Sequence, residues 1–117
     1  MTTIIYPGTF DPITLGHVDL VERAASLFDR VVLAIADSKK KQPLFDLEQR
    51  IALCQASLAH LNNIEICGFN GLLVDFARNK NSSTVLRGVR TTQDFEYELQ
   101  LTHMNRSMAA GFETVFL

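Results

Sequence analysis

Short apolar runs alternate along this chain with longer segments whose apolar side chains recur every three or four positions. The short runs occupy residues 4–6, 31–36, 64–67, 84–87 and 112–117, and each predicts a strand. The segments between them predict helices over about residues 16–28, 46–60, 72–80 and 91–106. Strand and helix therefore alternate from one end of the chain to the other.

This alternation predicts an α/β fold. The run Val31 to Ala36 is apolar throughout, as expected of a strand buried on both faces of a parallel sheet. Crossovers between parallel strands are nearly always right-handed, which places helices on both faces. We expect a Rossmann-like, doubly wound parallel sheet of five strands in the order 3-2-1-4-5, formed by residues 1–117 as a single domain.

Composition narrows the class of protein. The 117 residues are 47% hydrophobic and carry a net charge of −2, which suits one globular domain and argues against a nucleic-acid or membrane-surface binder. We expect neither a signal peptide nor a membrane-spanning segment. Cys54 and Cys67 lack the CxxC spacing, which favours buried thiols in a reducing cytoplasm over a disulfide or a metal site.

Residues 6–17, YPGTFDPITLGH, join the first strand to the first helix. Gly8 and Gly16 let the backbone approach a ligand closely, and the two prolines cannot extend a strand ladder. A helix that begins near Gly16 directs unpaired N–H groups and its positive dipole end outward. The segment is therefore a candidate phosphate site, with His17 at the start of the helix.

A second candidate segment follows the fourth strand. Arg87 and Arg90 flank Gly88 and Val89, and guanidinium groups match phosphate geometry with two parallel donors. In the predicted strand order the first and fourth strands are neighbours, so the two candidate segments converge on one crevice. The alternative is that both arginines pair with nearby carboxylates.

The ending Thr14-Leu15-Gly16-His17 resembles the TxGH form of the HxGH signature of the nucleotidyltransferase superfamily, which class I aminoacyl-tRNA synthetases share. The whole run YPGTFDPIT-GH is more specific. With the later strings RGxR, DFEYE and HMNR, it is similar to the phosphopantetheine adenylyltransferases of coenzyme A synthesis. The resemblance covers essentially the whole chain.

The resemblance implies adenylyl transfer from ATP to 4'-phosphopantetheine, which gives dephospho-coenzyme A and pyrophosphate. It assigns His17 as the residue that stabilises the transition state and Thr9 as the residue that orients the attacking phosphate. The implied contacts with phosphopantetheine are Thr9, Lys41, Leu73 and Arg87. The implied contacts with ATP are Thr9, Phe10, His17, Gly88, Val89, Arg90 and Glu98.

Such a reaction needs no enzyme nucleophile, because a phosphate monoester can attack directly. We expect Mg²⁺ as the cofactor, held by ATP oxygens and water rather than by protein ligands. Asp11 could serve as a metal ligand or a base, but we favour a structural role in which its side chain bonds turn amides.

The resemblance also implies a cytoplasmic homohexamer that binds coenzyme A or dephospho-coenzyme A as product or regulator. The family continues to an ISSTxxR-type segment that helps to bind ATP phosphates, and these 117 residues do not include one. The alternatives are another small-molecule nucleotidyltransferase of this superfamily and a nucleotide- or coenzyme-binding module without turnover. A fragment of a class I aminoacyl-tRNA synthetase ranks last, because no basic surface is evident.

Overall fold

The computed structural model describes residues 2–37, 43–88, 96, 99–100, 102–105 and 111–117. Residues 96, 99–100 and 102–105 are helical. The strands are β1 (Thr3–Gly8), β2 (Arg30–Ala36), β3 (Ile64–Phe69), β4 (Thr84–Arg87) and β5 (Glu113–Phe116). The helices with defined bounds are α1 (Leu15–Leu27), α2 (Leu47–Ser57) and α3 (Leu73–Asn79).

The five strands form one parallel sheet in the order β3-β2-β1-β4-β5, which confirms the predicted fold and strand order. Ile5 of β1 pairs with Val32 of β2 on one side and with Val85 of β4 on the other. The chain therefore reverses its direction of winding between β1 and β4. The carboxyl ends of these two strands lie side by side, where open α/β sheets bind their ligands.

The two sheet faces carry separate apolar cores, because successive strand side chains point to opposite faces. Ile4 lies in the larger core, which α1 and α2 cover, and Ile5 lies in the smaller one, to which α3 contributes. Both residues are fully buried. Helices on both faces explain why residues 31–35 of the interior strand β2 are buried without interruption.

Helix α2 begins as expected and differs from the prediction in its length and its buried face. The spacing of Asp46 and Gln49 in the sequence predicts a capping box, which the structure shows, but the helix ends at Ser57 rather than at residue 60. The apolar spacing of the segment also predicts that Leu53 is buried, whereas it is 38% exposed. The buried side instead carries Arg50, which is 2% exposed, because residues four apart lie on one helix face and Arg50 stands four positions before Cys54.

Within the described ranges, no helix combines the length and the apolar character that crossing a bilayer requires.

Candidate active site

Helix α1 begins at the candidate phosphate segment, and its first turn fixes the His17 ring. Thr14 is the N-cap, and its side chain accepts a hydrogen bond from the His17 backbone N–H. The backbone N–H of Thr14 in turn donates to Nδ1 of His17 at 2.9 Å. Histidine thus takes the place that glutamate or glutamine usually occupies in a capping box.

This contact indicates which tautomer the His17 ring adopts. A backbone N–H can only donate, so Nδ1 must be the unprotonated nitrogen and the ring proton belongs to Nε2. The ring is also enclosed by aromatic neighbours, with its centroid 4.9 Å from that of Phe10 and 6.4 Å from that of Tyr6. His17 is therefore suited to donate a hydrogen bond from Nε2, and it cannot accept a proton there.

Phe10 turns the chain between β1 and α1 in an unusual backbone conformation. Its φ is +49°, in the left-handed region that few non-glycine residues adopt, and its side chain is buried. The ring packs edge-on against Tyr6 with centroids 5.1 Å apart. A Cβ on Gly8 would lie 2.9 Å from the Phe10 ring, so any larger residue at that position would displace it.

Arg87 and Gly88 connect the end of β4 to the end of β1. Nη1 of Arg87 donates to the backbone carbonyl of Pro7 at 3.3 Å. A Cβ on Gly88 would come within 3.2 Å of the Leu20 side chain on α1, which is a tight contact. The predicted neighbouring positions of β1 and β4 are confirmed, and Arg87 at the end of β4 contacts the end of β1.

Arg50 of α2 contacts the segments that follow β1 and β2, and it was not predicted as part of the site. Its guanidinium donates to three backbone carbonyls: Nε to Phe45 at 3.1 Å, and Nη1 to Thr9 and Ala36 at 3.0 Å each. Arg50 therefore ties together the segments that follow β1 and β2 and the start of α2. The i, i+4 spacing with Cys54 and Leu58 is the sequence signal that could have identified it.

Asp11 has the structural role that was predicted, because its side chain binds backbone amides. Its two carboxylate oxygens accept hydrogen bonds from the backbone N–H groups of Leu44 at 2.6 Å and Phe45 at 2.8 Å. These amides belong to the loop before α2, so Asp11 joins that loop to the segment that follows β1. Both oxygens are engaged, which leaves Asp11 poorly suited to ligate a metal ion.

Of the remaining predicted contacts, the structure describes Leu73 and Thr9 but not the other four. Leu73 is the first residue of α3 and packs, partly buried, against the smaller core. Thr9 is partly buried directly after β1. The residues that lie outside the described part of the chain are Lys41, Val89, Arg90 and Glu98.

Neither thiol in this chain is a ready nucleophile. Burial raises the pKa of Cys54 to about 11, and it also raises the pKa of Cys67. Among the described residues, no group of three or more His, Cys, Asp or Glu side chains could hold a metal ion.

Comparison with known proteins agrees with this geometry. The cytidylyltransferase-like family model matches residues 5–117. A curated phosphopantetheine adenylyltransferase from Actinobacillus succinogenes is 54% identical over 117 residues, which is all of this chain and 73% of that protein. This chain belongs to the phosphopantetheine adenylyltransferase family.

Solved structures place this phosphopantetheine adenylyltransferase family member in a wider fold group. A lipopolysaccharide core biosynthesis protein from Thermoplasma volcanium matches with a TM-score of 0.70 and 22% identity, over 100% of this chain and 96% of that one. A bifunctional NMN adenylyltransferase/ADP ribose pyrophosphatase from Francisella tularensis matches with a TM-score of 0.65 and 12% identity, over 99% of this chain and 37% of that one. Because both sequence identities are low, these matches show a shared fold and nothing about a shared activity.

Proposed function

We propose that this chain transfers the adenylyl group of ATP to the 4'-phosphate of phosphopantetheine, releasing pyrophosphate and forming dephospho-coenzyme A. The observation that carries the proposal is the 54% identity, over the full chain, to a phosphopantetheine adenylyltransferase. The arrangement of residues around the ends of β1 and β4 supports the same reaction.

The proposed reaction is a single in-line displacement. An oxygen of the phosphopantetheine phosphate forms a bond to the α-phosphorus of ATP, and the bond from that phosphorus to the bridging oxygen of pyrophosphate breaks. Nε2 of His17 donates to the α-phosphate oxygens as negative charge develops on them. This role agrees with the ring proton at Nε2, because a histidine in that form cannot act there as a general base.

The other predicted contacts remain part of the proposal. Thr9 orients the attacking phosphate, Lys41 and Arg87 neutralise it, and Leu73 contacts the pantetheine arm. The proposed contacts with ATP, besides Thr9 and His17, are Phe10, Gly88, Val89, Arg90 and Glu98. The carbonyl of Pro7 already accepts from Arg87 at 3.3 Å, which supports placing the cation at the ligand edge of the sheet.

Further expectations complete the proposal. Mg²⁺ accompanies ATP and is held by phosphate oxygens and water, and when bound it neutralises the triphosphate charge. Engagement of both Asp11 oxygens by amides supports this arrangement over a protein carboxylate ligand. We also propose a cytoplasmic homohexamer that binds dephospho-coenzyme A or coenzyme A as product or regulator.

The test is pyrophosphate release by the chain with ATP, Mg²⁺ and phosphopantetheine, with nicotinamide mononucleotide and glycerol phosphate as competing acceptors. We expect turnover with phosphopantetheine alone. Turnover only with another acceptor would reassign the chain within the superfamily. Saturable binding of both substrates without pyrophosphate release would identify a binding module instead.

A further inference from the structure

Arg50 is buried in a way that packing alone does not explain. The side chain is 2% exposed, yet none of the ion pairs within the described ranges includes it. Its charge is balanced by the three carbonyl dipoles to which it donates. A buried cation without a carboxylate is unfavourable unless such bonds compensate for its lost hydration.

One of the three carbonyls belongs to the peptide that joins Thr9 to Phe10. This peptide is trans, since Asp11-Pro12 is the one cis bond in the described part of the chain. In a trans peptide the carbonyl and the N–H project in opposite directions. Because the Thr9 carbonyl points to Arg50, the Phe10 N–H points away from the guanidinium and cannot turn without breaking that bond.

Phe10 makes this restraint necessary. Its φ of +49° is an unfavourable conformation for a residue with a large side chain, and such conformations persist only where the surroundings impose them. The aromatic contacts with Tyr6 and His17 hold the side chain, whereas Arg50 holds the peptide that precedes it. Without Arg50, rotation of this peptide would relieve the backbone and redirect the amide.

We propose that Arg50 is a positioning residue that fixes the Thr9–Phe10 peptide plane and so presents the Phe10 amide to a phosphate of bound ATP. The inference rests on the proposed adenylyl transfer. Arg50 itself touches neither substrate. It acts through the backbone, in the manner of residues that hold the peptide donors of an oxyanion hole.

The kinetic test compares Arg50→Met and Arg50→Lys with Leu58→Ala. Leu58 is a matched control, because it is also 2% exposed and packs in the larger core, beyond the end of α2. We expect Arg50→Met to lower kcat by about 10²-fold while the KM for ATP changes by less than about threefold. Leu58→Ala should keep the wild-type kcat at temperatures where it is folded.

Arg50→Lys tests whether the positive charge of Arg50 or the shape of its guanidinium group is what the site requires. Lysine keeps the positive charge but lacks the rigid fork that reaches three carbonyls at once, so we expect its kcat to resemble that of Arg50→Met. Wild-type kcat in Arg50→Lys would overturn the proposal, since charge alone would then suffice. The lysine variant also decides the matter if Arg50→Met fails to fold.

A second measurement does not depend on turnover. In ¹⁵N-labelled protein titrated with Mg-ATP, the Phe10 amide resonance should shift in the wild type and shift by less than half as much in both Arg50 variants. An equal shift in all three proteins would refute the role of Arg50. If the wild type releases no pyrophosphate, the proposed function fails, and this titration still decides the inference.

Discussion

The His17 ring is oriented by the first turn of its own helix. The Thr14 amide occupies Nδ1, and the rings of Phe10 and Tyr6 restrict the imidazole from the side. The side chain therefore loses little further freedom when a ligand binds, and its Nε2 proton is set in advance. Preorganised donors of this kind stabilise developing charge without reorganisation during the reaction.

We predict that His17→Ala lowers kcat by about 10²- to 10³-fold and leaves the KM for ATP within about threefold of the wild type. The reason is that the bond from Nε2 strengthens only as charge develops on the α-phosphate. Steady-state kinetics with varied ATP would measure both constants. His60→Ala is the matched control, because that exposed histidine pairs with Glu22 on another surface. Loss of ATP binding comparable to the loss of kcat would contradict the role of His17.

The roles of single residues could be predicted only where the partner is close in sequence. The capping box of Asp46 with Gln49 follows from their spacing, and the structure shows it. The partners of Asp11 lie 33 and 34 positions further on, so no local pattern could identify them. Arg50 was missed because arginine on a helix is usually solvated, although its spacing placed it on the buried face.

At the level of elements, three charged side chains join the edge strand β3 to its neighbour β2 and to the residue that follows α3. Glu65 of β3 contacts Lys80, which follows α3, with Nζ and Oε2 2.7 Å apart, and it also pairs with Arg30 of β2. The hydrogen bond from Lys80 lowers the pKa of Glu65 below its ordinary value of 4.5. These contacts fasten the outer strand to its neighbours where apolar burial is incomplete.

The lowered pKa of Glu65 makes part of the stability dependent on pH. The contribution is complete above 4.5, the ordinary glutamate pKa, and is lost as the pH falls through the lower pKa of the folded chain. We expect Glu65→Gln to reduce the free energy of unfolding by about 1 kcal/mol near neutral pH. In acid, where the carboxyl is protonated in both states, the free energies of unfolding of Glu65→Gln and the wild type should become equal.

Urea unfolding from about pH 7 to about pH 3 would measure this difference. Lys80→Met also removes the hydrogen bond between Lys80 and Glu65, so it should reduce the pH dependence of the free energy of unfolding in the same way. The double variant should be little less stable than either single variant, because both substitutions remove one interaction. If Lys80→Met kept the full acid sensitivity of the wild type, the hydrogen bond between these residues would not be its cause.

The elements themselves were largely predictable. Uninterrupted apolar residues identified the interior strand β2, because burial on both faces removes any polar alternation. The outer strand β3 extends two residues beyond the predicted run, to Phe69, since pairing with β2 continues through Gly68. The end of α2 was overestimated because the apolar spacing continues to Leu58 after the helix has ended.

For the whole molecule, the strand order could be predicted because chain connectivity restricts the alternatives. Parallel strands with right-handed crossovers leave few arrangements, and the ligand edge follows from the reversal between β1 and β4. The site could be placed at that edge before any side-chain contact was known. The contacts that hold it in shape, such as Arg50 with Thr9, could not be predicted.

The proposed homohexamer predicts that part of the exposed apolar surface is covered on assembly. Met104 is 56% exposed in the helical residues that precede β5. We expect Met104→Glu to shift the mass measured by light scattering towards the monomer, because burial of the new charge opposes association. Leu27→Glu is the control at a 65% exposed leucine of α1, and it should keep the wild-type mass. A monomeric wild type would contradict the proposal directly.

The pairing of β1 with β4 also has a consequence for synthesis of the chain. Arg87 and Pro7 are 80 positions apart, so one edge of β1 must wait for its partner while the intervening residues are translated. At typical elongation rates this interval is roughly 4 to 16 s. During that time an apolar strand edge on the nascent polypeptide is open to pairing with other chains. This molecule is therefore expected to depend on chaperone protection at the ribosome until β4 emerges.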